Sequence, residues 1–409
     1  MEVIGYRLQA RLAVCRLQPL SFRLRPLPPI PNAVKSHPQH CRPQSHTQKE
    51  KEDSMADQLY RELQQRLDTY SLGFPATDSG VEIKVLKHLF PEDDAKMFLA
   101  LTPMVEPPAS VAEKMGITEA EAAARLADMA SRGLLFRLEK GGVPRYGAIP
   151  FIHGLFEFQV KRLDPEFAKL TEQYMTEGMD KAMATSAEYF LRTIPVGESV
   201  DVDHQVASFD DAREILKSRK LIVVTDCICR KQKSLVGDHC GKPMEVCFMF
   251  GSMGQYYLDH DMGRAVTLDE AEKLLSDARD AGLVTQPATA QNPAGMCNCC
   301  GDCCGVLRVL NMHPKPAQIV FSNHYAVVDE DACTACEACV DRCQMDAIAV
   351  DAADVAVVDL DRCIGCGLCV TDCPEQAVIL VSKPDEQRRT PPAGSMDQML
   401  AMAQKRGLM

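Results

Sequence analysis

Eight of the nineteen cysteines stand in two copies of one spacing. The first reads Cys333-x2-Cys336-x2-Cys339-x3-Cys343; nineteen residues later the second reads Cys363-x2-Cys366-x2-Cys369-x3-Cys373, followed by Pro374. Thiolates are soft ligands. Three at such short intervals let one loop wrap an iron–sulfur cube, while the fourth corner is filled from the far end of the other run. The repeat predicts crossed ligation for two [4Fe-4S] clusters: Cys333, Cys336 and Cys339 with Cys373, and Cys363, Cys366 and Cys369 with Cys343. Paired Cys-x2-Cys also builds tetrahedral zinc sites, but zinc gives no reason for a third cysteine after another x2 gap and a fourth after x3. Each run leads into a short apolar segment, residues 347–350 and 377–380, which fits a strand after the loop.

On these residues, the stretch from about 325 to 382 resembles the ferredoxins that carry two four-iron clusters. The resemblance implies a ferredoxin-like two-cluster domain that moves one electron per cluster at low potential. One residue departs from it: Gln344 follows Cys343 where that family has proline, a position matched here only by Pro374. The departure touches the backbone after a ligand, not the ligand itself.

Nine more cysteines lie upstream. Cys227, Cys229, Cys240 and Cys247 fall within twenty-one residues, beside Arg230, Lys231, Lys233 and Lys242, whose charge would offset thiolates. Cys297, Cys299, Cys300, Cys303 and Cys304 follow, five in eight residues. Single buried cysteines are ordinary core residues, but this density exceeds core packing, and disulfides between immediate neighbours would be strained. Metal ligation is the economical reading: one or two further iron–sulfur clusters, or zinc. Nine thiolates suffice for two four-thiolate sites with one to spare, or for one site and a redox-active pair. His239, His260, His313 and His324 are alternate ligands, and Asp226 and Glu245 lie close to the cysteines in sequence. The coupling of Cys-x-Cys, Cys-Asn-Cys-Cys and a terminal two-cluster run resembles uncharacterised iron–sulfur proteins of anaerobes. That likeness implies a single redox module over about residues 190–382.

The remaining elements must position these thiolates. A chain of 409 residues, 46% apolar and 25% charged, supports two or three folded domains. No run approaches the length that crosses a bilayer, and no signal peptide precedes the cysteines, so reduced thiolates and a cytoplasmic setting are expected. A net charge of -12 opposes a general nucleic-acid surface and suits docking to a redox partner with a basic patch. Residues 1–54 are Arg- and Pro-rich: either a transit peptide or, favoured here, a start placed upstream of the true beginning at Met55. Cys15 and Cys41 within them receive no ligand role.

Helices are expected over residues 57–68, 81–90 and 92–101, then from two capping boxes, Ser110-x2-Glu113 and Thr118-x2-Glu121. A hairpin follows around Gly141-Gly142. Three helices and a hairpin resemble a winged helix-turn-helix. The helix that would enter DNA carries Arg125 and Arg132 against Glu119, Glu121 and Asp128, so DNA is a weak candidate partner and docking or scaffolding the stronger use. A long helix is expected over residues 164–183 with a solvated polar side, strands near 198–202 and 221–224, and a Met-rich helix over 396–405.

The expected fold class is thus α+β and multidomain. Residues 1–54 are an extension, 55–160 winged-helix-like, 161–189 a helical linker, 190–324 a cysteine-rich α/β domain, 325–382 the two-cluster domain and 383–409 a tail. No nucleotide-binding glycine motif occurs in a strand-to-helix setting. The chemistry points to an electron-transfer protein or subunit serving a partner oxidoreductase. The alternatives are an iron–sulfur oxidoreductase with its own site at the central cysteines, and a redox-sensing regulator.

Overall fold

The computed structural model describes residues 48–183, 186–196 and 208–409, with side chains from Met55. Cys15, Cys41 and the strand expected near 198–202 lie outside the described residues. The N-terminal part is helical: α1 (Gln48–Asp68), α2 (Val81–Leu89), α3 (Glu92–Ala100), α4 (Pro108–Met115) and α5 (Glu119–Ser131). Thr118 caps α5 as its box predicts, its hydroxyl accepting from the Glu121 amide at 3.2 Å. The Ser110 box does not open α4. Proline suits the first helical position, where its missing N–H costs nothing, and the helix starts at Pro108, leaving Ser110 inside the first turn. The hairpin follows, β1 (Phe136–Lys140) against β2 (Val143–Gly147).

The helix expected over 164–183 is two: α6 (Pro165–Glu177) and α7 (Met179–Met183). They part at Gly178, where a Cβ would come within 2.8 Å of the Tyr174 ring. Nor is this segment a solvated linker. Glu172 on α6 accepts from both Nη atoms of Arg308, at 3.0 and 2.9 Å, and from Lys233 at 3.2 Å. Burial works against the Glu172 carboxylate, yet Arg308 and Lys233 outweigh it and hold its pKa below the ordinary range.

Next come α8 (Ala212–Lys217), β3 (Ile222–Asp226), α9 (Ile228–Leu235), β4 (Glu245–Phe250), α10 (Gly251–Asp259), β5 (Arg264–Ala265), α11 (Leu268–Asp280), β6 (Val284–Pro287) and β7 (Gly295–Cys299). The five strands form one antiparallel sheet in the order β5-β3-β4-β7-β6. Alternation sorts its faces. Ile222, Val224, Phe248, Phe250 and Met296 pack with Ile215, Leu216 and Leu275 from α8 and α11. The residues between them, among them Val223, Cys297 and Cys299, turn to a second core that continues into α1–α7. The sheet is therefore covered on both sides, and its cysteines are on the inner one.

Helices α12 (Gly305–Met312) and α13 (Pro316–Ile319) lead to the C-terminal domain: β8 (His324–Val328), α14 (Ala338–Arg342), β9 (Ile348–Val350), β10 (Ala356–Val358), α15 (Leu368–Thr371) and β11 (Val378–Ser382). Here β8 pairs with β11 and β9 with β10, so each cysteine run feeds a strand. The last helix, α16 (Ser395–Lys405), packs back onto the body. Its Gln398 donates to the carbonyls of Tyr189 and Phe190, and the Arg406 that follows it donates to Ser71 O and pairs with Asp68.

Candidate metal centres

The strand ends bring six of the nine central cysteines together. Cys227 follows β3, Cys247 lies in β4, and Cys297 and Cys299 are two apart on β7, hence on one face. The Phe248–Met296 pairing sets the register in which Cys247 comes opposite Cys297. Cys229 enters from the first turn of α9, and Cys304 immediately precedes α12. Their side chains line one cavity and interact in turn around it: Cys227 with Cys229 and Cys247, Cys247 with Cys297, Cys297 with Cys299, Cys299 with Cys304, and Cys304 with Cys229. The cavity has a volume of about 70 Å³.

The thiols of the ring are tightly coupled, so the charge on each weighs on its neighbours. Bonds from neighbouring thiols push Cys227, Cys297 and Cys304 down, and the same bonds push Cys229, Cys247 and Cys299 up. The amides of Arg230 and Leu307, in the first turns of α9 and α12, further favour thiolate at Cys227 and Cys304, as expected where a helix begins.

The other three cysteines group beside the ring, and two of them, Cys300 and Cys303, also line its cavity. The Sγ atoms of Cys240, Cys300 and Cys303 lie within 4.8 Å of one another. The Cys300 thiol is lowered to about 6 by its bond from Cys303 and by the Arg230 charge, against the pull of burial. Arg230 is buried and sits between the two groups. Its Nη atoms donate to the carbonyls of Pro243 and Asn298, each at 2.8 Å. Burial disfavours its charge, yet Cys227, Cys300, Cys299 and Cys247 together hold it firmly protonated. The grouping is thus a ring of six with a triad beside it, where the expectation was two four-thiolate sites with one over, or one site and a redox-active pair; sheet register, not proximity in sequence, decides it.

The suggested histidines lie elsewhere. His239 Nδ1 accepts from Gly241 N, His260 Nδ1 contacts Tyr256 O, and His313 Nδ1 accepts from Lys315 N. His324 is buried in β8, and burial drives its pKa down to about 4. Asp226 pairs with Lys231 and Glu245 with Arg264. The imidazole that does reach the ring is His153, which interacts with Cys297, packs tilted against Phe190 with ring centroids 4.2 Å apart, and has a left-handed backbone with φ of 57°. Burial opposes its charge, but Cys297 and Glu157 raise its pKa overall. Glu157 fixes this loop by accepting from the Gly154 amide at 2.9 Å. Burial lifts its carboxyl to about 7. Tyr257 completes that wall. A lone histidine in an aromatic run more than seventy residues before the first ring cysteine carries no spacing signal; only the unusual density of Phe and Gly in residues 147–158 marks the segment.

In the C-terminal domain Cys333, Cys336, Cys339 and Cys373 line one cavity. Cys343 lies by Cys363, Cys366 and Cys369. Backbone amides point at these sulfurs: Ala356 N to Cys333 at 3.4 Å, Ala347 N to Cys343 at 3.3 Å and Ala326 N to Cys363 at 3.5 Å. Such donors stabilise negative charge on sulfur and tune potential. Gln344 joins the two thiolate regions. Its side-chain oxygen accepts from Gly301 N at 2.8 Å, within the Cys300–Cys303 turn, and its carbonyl accepts from Asn311 at 2.9 Å.

Three arginines of the helix-and-hairpin segment are held in ion pairs: Arg125 and Arg132 both pair with Asp94 of α3, and Arg137 pairs with Asp259 of α10. Among the described residues no helix is long and apolar enough to cross a membrane.

Residues 326–380 match the 4Fe-4S dicluster domain family. No curated protein and no solved structure matches the chain. The architecture is α+β, with a 4Fe-4S dicluster domain at its C-terminal end through which the protein takes part in iron–sulfur electron transfer.

Proposed function

We propose that this protein is an iron–sulfur electron-transfer component in which the dicluster domain exchanges electrons between a partner oxidoreductase and a second metal centre held by the central cysteines. The carrying observation is the Gln344 bridge, which fixes the residue after Cys343 directly to the Cys300–Cys303 turn. Cys336 is exposed, whereas Cys343, Cys363 and Cys366 pack against the main core, to which Cys229, Cys297, Cys299 and Cys304 also belong. The loop of Cys333, Cys336 and Cys339 with Cys373 would hold the outer cluster, facing the partner. Cys363, Cys366 and Cys369 with Cys343 would hold the inner one. Bound there, the clusters supply one-electron chemistry.

A cube takes four thiolates, and the ring offers six. Six converging sulfurs, on four buried and two half-buried cysteines, fit a polynuclear iron–sulfur centre: their ionised charge is too large to enclose without several cations, and Arg230 balances only one. Cys240, Cys300 and Cys303 would hold a separate metal ion or cluster with three protein ligands. Zinc in this triad is compatible with the reading; zinc in the ring is not.

The test is metal analysis of the full chain purified without oxygen. The reading expects iron and acid-labile sulfide well above the total of about eight irons that two cubes contain. Cys247→Ala should remove the excess and leave the dicluster iron and its reduced-state EPR signal intact. A wild-type protein with only about eight irons, or zinc in place of iron, would overturn the central centre.

A further inference from the structure

Beside the ring cavity lies a larger chamber of about 290 Å³. The two share one wall, made by His153, Glu157, Phe190, Met249, Tyr257 and Cys297. The chamber's other end reaches solvent, since Pro103, Ser252 and Ser395 line it and are exposed. It is therefore a blind tunnel whose floor is the edge of the thiolate ring.

The lining states what could enter. Between mouth and floor the walls are apolar: Phe136, Ile149, Phe158 and Met253 on one side, and Met399 and Met402 of α16 on another. Methionine side chains adapt to irregular ligand shapes. Gln398 also borders the space, but its amide is committed to the carbonyls of Tyr189 and Phe190. No lysine or arginine lines the chamber, and its charged-type groups are Glu157 and His153, at the floor. An anion would be buried without a cationic partner other than His153 and next to a carboxyl group and thiolates, which is costly. A neutral molecule would bury apolar surface along the walls and find hydrogen-bonding groups at the floor and, apart from Ser71, elsewhere only as the Ser252 and Ser395 hydroxyls of the exposed mouth. A cavity of ~150 Å³ lined by aliphatic and aromatic residues takes up benzene. This one has room for a two-ring compound.

We infer that the chamber is a binding site for a neutral, mostly apolar organic molecule with one hydrogen-bonding end, seated with that end against His153 and Glu157 beside Cys297. The inference deepens the proposed function, because it places a ligand within reach of the central centre. α16 gains a role as the chamber's wall, held by Gln398 and by Arg406.

The probe is 2-naphthol, a neutral two-ring compound with one hydroxyl, titrated into the oxygen-free full-length protein and followed by its own fluorescence and by equilibrium dialysis. The chain has no tryptophan to obscure the signal. Saturable binding of one molecule per chain is expected, with 2-naphthoate, the anionic counterpart, binding about ten-fold more weakly or worse. Ala148 and Ala294 also line the chamber; Ala148→Phe and Ala294→Phe fill it without adding a tryptophan, and each should weaken 2-naphthol by about ten-fold or more. Iron content and far-UV circular dichroism must stay at wild-type values for a variant to count, and either variant alone suffices. Absence of saturable binding, equal binding of 2-naphthoate, or indifference to a correctly folded chamber-filling variant would overturn the inference. Binding does not require the central iron. Normal binding with only about eight irons per chain, the content of two cubes, would therefore sink the central centre and leave the chamber standing, and the converse result would do the reverse.

Discussion

The two cysteine loops of the dicluster domain share a spacing and differ in surroundings. Each has two left-handed residues between its cysteines: Ala335 and Glu337 in the first loop, with φ of 52° and 62°, and Gly365 and Gly367 in the second, with φ of 68° and 76°. A side chain in that conformation is disfavoured but tolerable where there is room. Around Gly365 there is none, since a Cβ would sit 2.1 Å from the His324 carbonyl oxygen. The residues after the fourth cysteines differ in the same sense. Pro374 is exposed, while Gln344 reaches across to Gly301. Ligand spacing sets the geometry of the loop; the residues between and after the ligands record whether that loop faces solvent or the body.

The strongest way to break this contrast is to exchange the residues that encode it. Gly365→Ala puts a β-carbon into a backbone oxygen and adds left-handed strain, and should cost about 3 kcal/mol or more. The reverse change in the open loop, Ala335→Gly, relieves strain and should alter stability by no more than about 1 kcal/mol, in the stabilising direction. Denaturant unfolding without oxygen, with iron counted afterwards, reads both. Equal costs for the two substitutions would mean that the loops do not differ as their surroundings indicate.

A middle-sized effect is expected at the seam between domain and body. Arg342 donates to the carbonyls of Arg279 and Asp280 at 2.6 and 3.0 Å, and pairs with Asp372. Those carbonyls end α11, where a cation also meets the negative end of the helix dipole. Arg342→Met should cost about 2 kcal/mol. It should also bring the inner cluster closer to the outer in behaviour. In wild-type protein exposed to an iron chelator, the outer cluster, beside exposed Cys336, should lose iron first and the inner later; in the variant the two phases should draw together. A single phase in the wild type would contradict the difference in exposure.

How much of this was legible in the sequence follows the range of the interactions. The dicluster loops, their following strands and the Thr118 cap depend on residues a few positions apart, and their spacing is readable. The six-and-three division of the central cysteines depends on which strands are neighbours in a five-stranded sheet, which no local pattern states. Glu172 looked like surface charge because its partners, Lys233 and Arg308, are 61 and 136 residues away. His153 and Glu157 were invisible for the same reason. Gln344 was visible only as a departure from the ferredoxin pattern, and its role required its partner, Gly301.

That departure gives the smallest and most specific prediction. Gln344→Pro restores the residue matched in the other run by Pro374 and deletes the acceptor of the Gly301 amide. The amide is partly buried, so about 1 kcal/mol of stability should be lost, and Gln344→Ala should lose about the same. Neither change touches a cysteine, so iron and sulfide should remain at wild-type levels in both. The reading of Gln344 as a positioning residue is tested by the rate at which the central centre is reduced after the dicluster domain, followed by rapid freezing and EPR. That rate should fall several-fold in both variants, while reduction of the dicluster signal itself keeps its wild-type rate. Loss of stability with no change in the second rate would make Gln344 a structural tie and nothing more, because a bond that merely holds two segments together has no reason to distinguish electrons entering the domain from electrons leaving it.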